Sequence, residues 1–191
     1  AEHEIAPIDL VVVNLYPFTA TVAKGADRDE VIENIDIGGP SMVRSAAKNH
    51  ASVTILTDPA DYARLMDEMD EKGGATSYDF RRLCAAKAYA ATAEYDAMIA
   101  SWFATVDQGE PFAPRMAVPL RLGQSLRYGE NPHQQAALYL PAFAPQGGLA
   151  DHRQVQGKEL SYNNLADADA AMELVSEFRD GPPTVVIIKH A

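Results

Sequence analysis

The stretch Ile8-Asp9-Leu10-Val11-Val12-Val13-Asn14-Leu15 decides the fold class of this chain. Its β-branched and apolar residues would lie on both faces of an extended segment, which is typical of a strand buried in a mostly parallel sheet. Tyr16-Pro17-Phe18 then breaks the pattern. Residues 51–56 predict a second buried strand of the same kind.

Helices are predicted between and after these two strands. Gly38-Gly39-Pro40-Ser41 leads into a helix that reaches about residue 49, with the proline at its first position. Thr57-Asp58-Pro59 supplies a capping residue and a proline for the next helix, which Gly73-Gly74 ends. A long helix is predicted over residues 78–106. Strands that alternate with helices indicate an α/β domain.

A stretch rich in proline, residues 110–119, has the composition of a linker. We therefore place a domain boundary there, with a first domain over residues 1–119 and a second over residues 120–191. In the second domain we predict a strand near residues 136–140, a helix over about 165–178 and a strand over 184–189.

Composition limits the class of protein. The chain has 191 residues, of which 47% are hydrophobic and 23% are charged, as in ordinary globular proteins. A net charge of −11 disfavours a general surface for nucleic acid or an acidic membrane. The chain has no apolar run of about 18 residues, and its first residues lack the basic start and apolar core that would predict a signal peptide. We expect a soluble, cytoplasmic protein in which the single cysteine, Cys84, packs as a small hydrophobe.

The first candidate site lies where the first strand ends, because ligands of open α/β sheets bind beyond the carboxyl ends of strands. Asn14 and Tyr16 occupy that end, and the amides of Gly38 and Gly39 would face an anion at a helix N-terminus. A carboxylate and a cation nearby, Asp36 and Lys48, could move protons there. The alternative is a solvated basic helix face that follows an ordinary capping aspartate.

The second candidate site draws on three segments of the second domain. Leu126-Arg127-Tyr128-Gly129-Glu130-Asn131-Pro132-His133-Gln134 is dense in side chains that can bond or stack with a ligand. Asn164 could bind a ligand or simply cap the following helix. Lys189 and His190 end the last predicted strand, where a cation and an imidazole could serve an oxyanion and a proton. The five histidines lack any paired spacing of metal ligands, so we expect no metal.

The order of these motifs resembles a known enzyme family. The segments in question are Asn14-Leu15-Tyr16-Pro17-Phe18, Ile35-Asp36-Ile37-Gly38-Gly39-Pro40, Ala46-Ala47-Lys48-Asn49-His50, Leu126–Gln134 and Lys189-His190. Together they resemble the bifunctional aminoimidazole carboxamide ribotide (AICAR) transformylase/inosine monophosphate (IMP) cyclohydrolase family. The similarity spans nearly the whole chain.

The resemblance implies a fold and an activity for each domain. Residues 1–119 would be the later part of a methylglyoxal synthase-like cyclohydrolase domain, and residues 120–191 the start of a cytidine deaminase-like transformylase domain. The transformylase moves a formyl group from 10-formyltetrahydrofolate to AICAR, giving FAICAR, and the cyclohydrolase closes FAICAR to IMP with loss of water. The substrates would thus be nucleotides and a folate, with no metal and with a homodimer by analogy.

The resemblance also assigns roles to individual residues. In the cyclohydrolase site, Tyr16, Asp36 and Lys48 would be catalytic, and Asn14, Gly38 and Gly39 would line the site. In the transformylase site, His190 would be the base and Lys189 the cation for the oxyanion. Arg127, Tyr128 and Asn164 would contact the ligand there.

The resemblance leaves both sites incomplete. The family's upstream phosphate-binding opening and its catalytic lysine are absent, and so is most of the transformylase domain after His190. The chain is therefore interpreted as an internal piece, and we expect the 191 residues alone to be inactive. Two alternatives remain, a nucleotide-sensing regulatory module of the methylglyoxal synthase-like fold and a structural fragment without function.

Overall fold

A computed structural model describes residues 5–109, 112–142 and 148–189 of the chain. It divides into two units, Ala1–Val118 and Pro119–Ala191. The first unit mixes helices with a small parallel sheet, and the second combines an antiparallel pair of strands with one longer helix. The mixed α/β class expected from the sequence is therefore confirmed.

The parallel sheet of the first unit has two strands among the described residues, β1 (Leu10–Val12) and β2 (Thr54–Leu56). They pair in register, with Val11 beside Ile55. β2 is buried throughout, as predicted. β1 is not, because Leu10 and Val12 are 40% and 46% exposed. The prediction of burial on both faces is wrong for β1, since its outer face has no packing partner among the described residues.

Five α-helices complete the described part of the first unit. They are α1 (Phe18–Ala23), α2 (Arg28–Glu33), α3 (Gly38–Lys48), α4 (Tyr62–Glu71) and α5 (Tyr78–Trp102). A short 3-10 turn, Pro59–Asp61, precedes α4, and the Asp58 side chain caps it by accepting the N–H of Ala60 at 2.9 Å. A π-helical turn, Phe103–Asp107, continues α5 before the left-handed Gly109. Pro40 was predicted to be the first residue of this helix. It is the third, because α3 begins at Gly38.

The core of the first unit lies where α3, α4 and α5 cover β2. α5 begins at the cap Ser77, whose hydroxyl accepts the N–H of Phe80 at 3.2 Å. Its buried face supplies Phe80 and Cys84, which belong to the same buried cluster as Ala46 and Ala47 of α3. The buried cluster consists of Val43, Ala46, Ala47, Ile55, Leu56, Leu65, Phe80, Cys84, Ala85 and Ala88. This core fixes the carboxyl ends of β1 and β2, from which the candidate site is built.

The second unit contains β3 (Leu120–Leu126), β4 (Ala136–Pro141) and α6 (Tyr162–Ser176). β3 and β4 pair antiparallel, with an irregularity between Leu122 and Gln124. A Cβ at Gly123 would lie 2.9 Å from the Leu140 side chain, so the bulge needs a glycine. β4 and α6 agree with the predictions, whereas β3 was not predicted.

The predicted strand over residues 184–189 is absent from the structure. The described part of this segment pairs with no other strand, and Val185 and Ile187 are 85% and 90% exposed. A strand is stabilised by its ladder and by packing of its faces, and neither is available to this segment here.

Candidate active site

A cavity of 780 Å³ opens in the first unit beyond the carboxyl end of β1. Segments on two sides form its wall, the chain that leaves β1 and the turn that enters α3. The residues that line it are Val13, Asn14, Tyr16, Ile32, Glu33, Ile35, Asp36, Ile37, Gly38, Gly39 and Met42. Five of the predicted site residues, Asn14, Tyr16, Asp36, Gly38 and Gly39, therefore share this cavity.

The carboxylate of Asp36 joins the two sides of the cavity. One oxygen accepts the backbone N–H of Gly39 at 2.7 Å, and the other accepts the backbone N–H of Tyr16 at 3.3 Å. An ionised carboxylate can accept about four hydrogen bonds, so acceptor positions remain for a ligand. Asp36 thus caps α3, as the alternative interpretation held, and it also places its carboxylate at the cavity wall.

The amide of Asn14 is held in one orientation. Its nitrogen donates to the carbonyl of Thr57 at 3.3 Å, and its oxygen accepts the hydroxyl of Tyr62 at 3.1 Å. The amide nitrogen has two N–H groups and Thr57 uses one of them. The second N–H is therefore available as a donor at the cavity wall.

Lys48 lies away from this cavity. It is the last residue of α3, at the opposite end from Gly38 and Asp36, and it is exposed. At 1.5 Å per residue, the two ends of the helix are separated by about 15 Å. The structure does not bring Lys48 to the Asp36 carboxylate, contrary to the expectation of one shared site. Arg44, one turn before Lys48 on the same helix, places its guanidinium over the ring of Tyr89, 5.5 Å from the centroid.

In the second unit, Arg127 and Tyr128 lie side by side after β3. The Arg127 guanidinium is 4.8 Å from the centroid of the Tyr128 ring and donates to its hydroxyl at 3.2 Å. The backbone of this pair is held by Leu160 and Tyr162, through hydrogen bonds of 2.8 and 3.0 Å. A cavity of 650 Å³ adjoins Arg127 and the strands β3 and β4.

Of the remaining predicted residues of the second unit, the two that the structure describes, Asn164 and Lys189, do not line that cavity. Asn164 forms a capping box with Ser161, whose backbone N–H donates to the Asn164 side-chain oxygen at 3.0 Å. Lys189 is exposed and lines neither cavity. His190 lies outside the described residues.

Comparison with known proteins places the chain in a family. The profile of the AICARFT/IMPCHase bienzyme matches residues 46–191. The chain belongs to the AICARFT/IMPCHase family. The resemblance drawn from the motifs is thereby confirmed.

AICARFT/IMPCHase relatives align with essentially the whole chain, including the first 45 residues that precede the profile match. The bifunctional purine biosynthesis protein PurH of Jannaschia sp. (strain CCS1) is 57% identical over 194 residues, which is 100% of this chain. Those of Ruegeria pomeroyi and Rhodospirillum rubrum are 58% and 54% identical, also over 100% of the chain. The chain spans 36% of the length of each of these relatives.

One solved structure, described as the crystal structure of ForH, is 36% identical and aligns with 53% of this chain and 53% of its own. Its TM-score is 0.46, so no feature of it is transferred to this AICARFT/IMPCHase chain.

Sequence reasoning missed three residues that shape the cavity of this AICARFT/IMPCHase chain. Glu33 lines the cavity, Tyr62 orients Asn14, and Tyr95 binds the backbone next to Asp36. Glu33 and Tyr62 carry no signal, since charged and aromatic residues are common on helix surfaces. Tyr95 had one, because it lies on the apolar face of the predicted long helix and a buried tyrosine hydroxyl needs a hydrogen-bond partner.

Within residues 5–109, 112–142 and 148–189, no three His, Cys, Asp or Glu side chains form a group suited to a metal ion. No helix in the same ranges has the length and apolarity needed to cross a membrane.

Proposed function

We propose that this chain supplies part of two catalytic sites for the last two steps of IMP synthesis. Its first unit would contribute to closure of FAICAR to IMP, and its second to formyl transfer from 10-formyltetrahydrofolate to AICAR. Membership of the AICARFT/IMPCHase family supports the proposal. The observation that carries it is the Asp36 carboxylate, fixed at a large cavity by the amides of Tyr16 and Gly39.

Ring closure needs a group that moves protons and donors that stabilise an oxyanion. The carboxamide nitrogen of FAICAR attacks its formyl carbon, so a proton leaves the nitrogen and the oxygen gains negative charge before water departs. The Asp36 carboxylate is suited to accept the proton. The free N–H of Asn14 and the exposed ring and hydroxyl of Tyr16 are suited to orient the nucleotide. Lys48 would act only if another segment or the substrate itself reaches the far end of α3.

Formyl transfer needs a base at the AICAR amine and a cation at the tetrahedral oxyanion. The amine is a weak nucleophile because its lone pair is delocalised into a ring that bears a carboxamide. In this proposal His190 is the base and Lys189 the cation. Arg127 suits a phosphate or carboxylate, and its stacking on Tyr128 presents it in one orientation. Asn164 would then support the site through the start of α6.

The wider proposal covers fold and surroundings. The first unit would be part of a methylglyoxal synthase-like domain and the second the start of a cytidine deaminase-like domain, with the boundary near Pro119. The active protein would be a cytoplasmic homodimer that needs no metal.

A chimera tests the function directly. The chain replaces the aligned segment of the Jannaschia relative, and both half-reactions are measured by absorbance with purified FAICAR, AICAR and 10-formyltetrahydrofolate. We expect both activities in the chimera and none in the 191-residue chain alone. Asp36→Asn should lower ring closure by roughly 100-fold while leaving formyl transfer intact, and His190→Ala should do the reverse.

The contrary outcomes are equally clear. A chimera that folds and assembles like its parent but performs neither reaction contradicts the proposal. Nucleotide binding by the chimera without turnover would favour the regulatory module instead. Turnover by the isolated chain would show that neither site depends on other segments.

A further inference from the structure

Tyr95 contacts the segment that carries Asp36. It lies on α5, only 4% exposed, and its hydroxyl makes two hydrogen bonds to backbone about sixty residues earlier in the chain. The hydroxyl oxygen accepts the N–H of Asp36 at 2.8 Å, and the hydroxyl donates to the carbonyl of Asn34 at 3.3 Å. The two bonds bracket Ile35 and fix the backbone between α2 and α3.

The same side chain also supports the other side of the cavity. The Tyr95 ring meets the ring of Phe18 edge to face, with 6.2 Å between centroids. Phe18 follows Tyr16 closely and donates its N–H to the Tyr16 carbonyl at 2.8 Å. Tyr95 therefore contacts both segments that the Asp36 carboxylate joins, one through backbone hydrogen bonds and the other through the Phe18 ring.

The Tyr95 hydroxyl is protonated near neutral pH, as in an ordinary tyrosine, and burial favours that form further. Desolvation, the largest influence, raises the pKa of Tyr95 above its ordinary value, although the Asp36 amide opposes the change. A protonated hydroxyl can accept one hydrogen bond and donate another at the same time, as this site requires.

We propose that Tyr95 is a positioning residue for ring closure, which sets the orientation of the Asp36 carboxylate without contacting the substrate. The proposal rests on the cyclohydrolase function proposed above. Small displacements of a catalytic group lower the rate steeply, so the loss of one hydroxyl here should be visible in kcat. Because Tyr95 does not contact the substrate in this proposal, its loss should change KM for FAICAR much less than kcat.

The test uses Tyr95→Phe in the chimera, with Tyr89→Phe as the matched control. Tyr89 lies on the same helix, is 39% exposed and packs its ring under Arg44. For Tyr95→Phe we expect kcat for ring closure to fall roughly 10- to 100-fold, while KM for FAICAR changes by less than about 3-fold. Formyl transfer by the same polypeptide should stay within about twofold. Tyr89→Phe should leave both reactions unchanged.

Amide hydrogen exchange of the chimera gives a second measure that needs no activity. Tyr95→Phe removes the acceptor of the Asp36 N–H, so exchange at Asp36 and Gly39 should accelerate at least about tenfold relative to core amides of α5. Faster exchange throughout the chain would instead indicate general destabilisation and overturn the positioning role.

The outcomes separate the two proposals. Unchanged ring closure in Tyr95→Phe overturns the role of Tyr95, and so does an equal loss of both reactions, which would reveal a purely structural residue. An unsubstituted chimera that transfers formyl groups but does not close the ring overturns the proposed function. In that case the exchange rate of the Asp36 amide still tests whether Tyr95 fixes the backbone between α2 and α3. An unchanged exchange rate in Tyr95→Phe overturns that role.

Discussion

The backbone N–H of Gly39 donates to the Asp36 carboxylate at 2.7 Å, and a Cβ on Gly39 would lie 2.4 Å from the other oxygen of that carboxylate. While the carboxylate keeps this position, no side chain fits at residue 39. Gly39 is therefore needed for close approach and not for a left-handed backbone.

Gly39→Ala should displace the carboxylate and destabilise the chain by about 1–3 kcal/mol, because the helix cap is lost and the new methyl group clashes. Gly38→Ala is the matched comparison, since nothing lies within 4 Å of the place that its new methyl group would occupy. That variant should be neutral or up to about 1 kcal/mol more stable, as alanine favours helix. Urea unfolding of both variants provides the measurement. Equal stabilities would contradict the steric account.

Arg81 is expected to contribute more to stability than its neighbour Arg82. Its guanidinium donates to the carbonyls of His50, Ala51 and Thr76, and so ties α5 to the loops before β2 and after α4. Arg81→Ala leaves these carbonyls without that partner and should cost about 2–3 kcal/mol. Arg82 pairs with Asp79 at 3.4 Å on the exposed surface and has no other partner within the described ranges, so Arg82→Ala should change stability by less than about 0.5 kcal/mol. Similar losses in the two variants would disprove the distinction.

Asn164 offers a test of capping against ligand binding. Its side-chain oxygen accepts the backbone N–H of Ser161, which completes the capping box of α6. Asn164→Asp keeps an acceptor oxygen and should keep the helix, whereas Asn164→Ala should cost about 1 kcal/mol. Thermal unfolding of the chain followed by circular dichroism measures both. An alanine variant as stable as the parent would leave ligand binding as the reason for this residue.

Glu68 should make stability depend on pH. Its carboxylate accepts the backbone N–H of Ser77 at 2.9 Å, which lowers the pKa of Glu68 below its ordinary value of 4.5. A pKa lowered by folding stabilises the folded chain above pH 4.5, and this contribution is lost as the pH falls through the folded-state pKa.

Glu68→Gln should therefore reduce the fall in the free energy of unfolding at acid pH. Urea midpoints of both proteins between about pH 6 and about pH 3 give the measurement. Glu71→Gln, on the exposed side of the same helix, changes the net charge equally and serves as the control. An acid limb that is unchanged in Glu68→Gln would exclude this hydrogen bond as its source.

Local signals predicted much of the first unit. The expected cap before the next helix is found one turn early, because Asp58 caps the 3-10 turn that precedes α4. Gly73 and Gly74 end α4 in left-handed conformations, and the apolar spacing of α5 places Phe80 and Tyr95 inside. These features depend on neighbours within a few residues of one another. Their recognition needs no knowledge of the tertiary fold.

Contacts between residues far apart in the chain could not be predicted from the sequence. Tyr95 and Asp36 are 59 residues apart, and nothing local shows that a hydroxyl on α5 meets that amide. Lys48 looked close to Asp36 because both flank one short helix, but an α-helix separates its ends by its full length. β3 lacks a continuous β-branched run and contains Gly123, whereas residues 184–189 have such a run but no partner strand. Pairing decided both cases, and pairing is not visible in a single segment.

The thiol of Cys84 can report how often α5 separates from the core of the first unit. The thiol is 3% exposed, and burial raises its pKa, so a thiol-directed reagent meets almost no reactive thiolate while α5 stays packed. Because the sequence has a single cysteine, every labelled molecule records one event at one place. The rate of labelling across the substitutions above would thus rank how often the helix that carries Tyr95 separates from the core, with no further cysteine introduced into the chain.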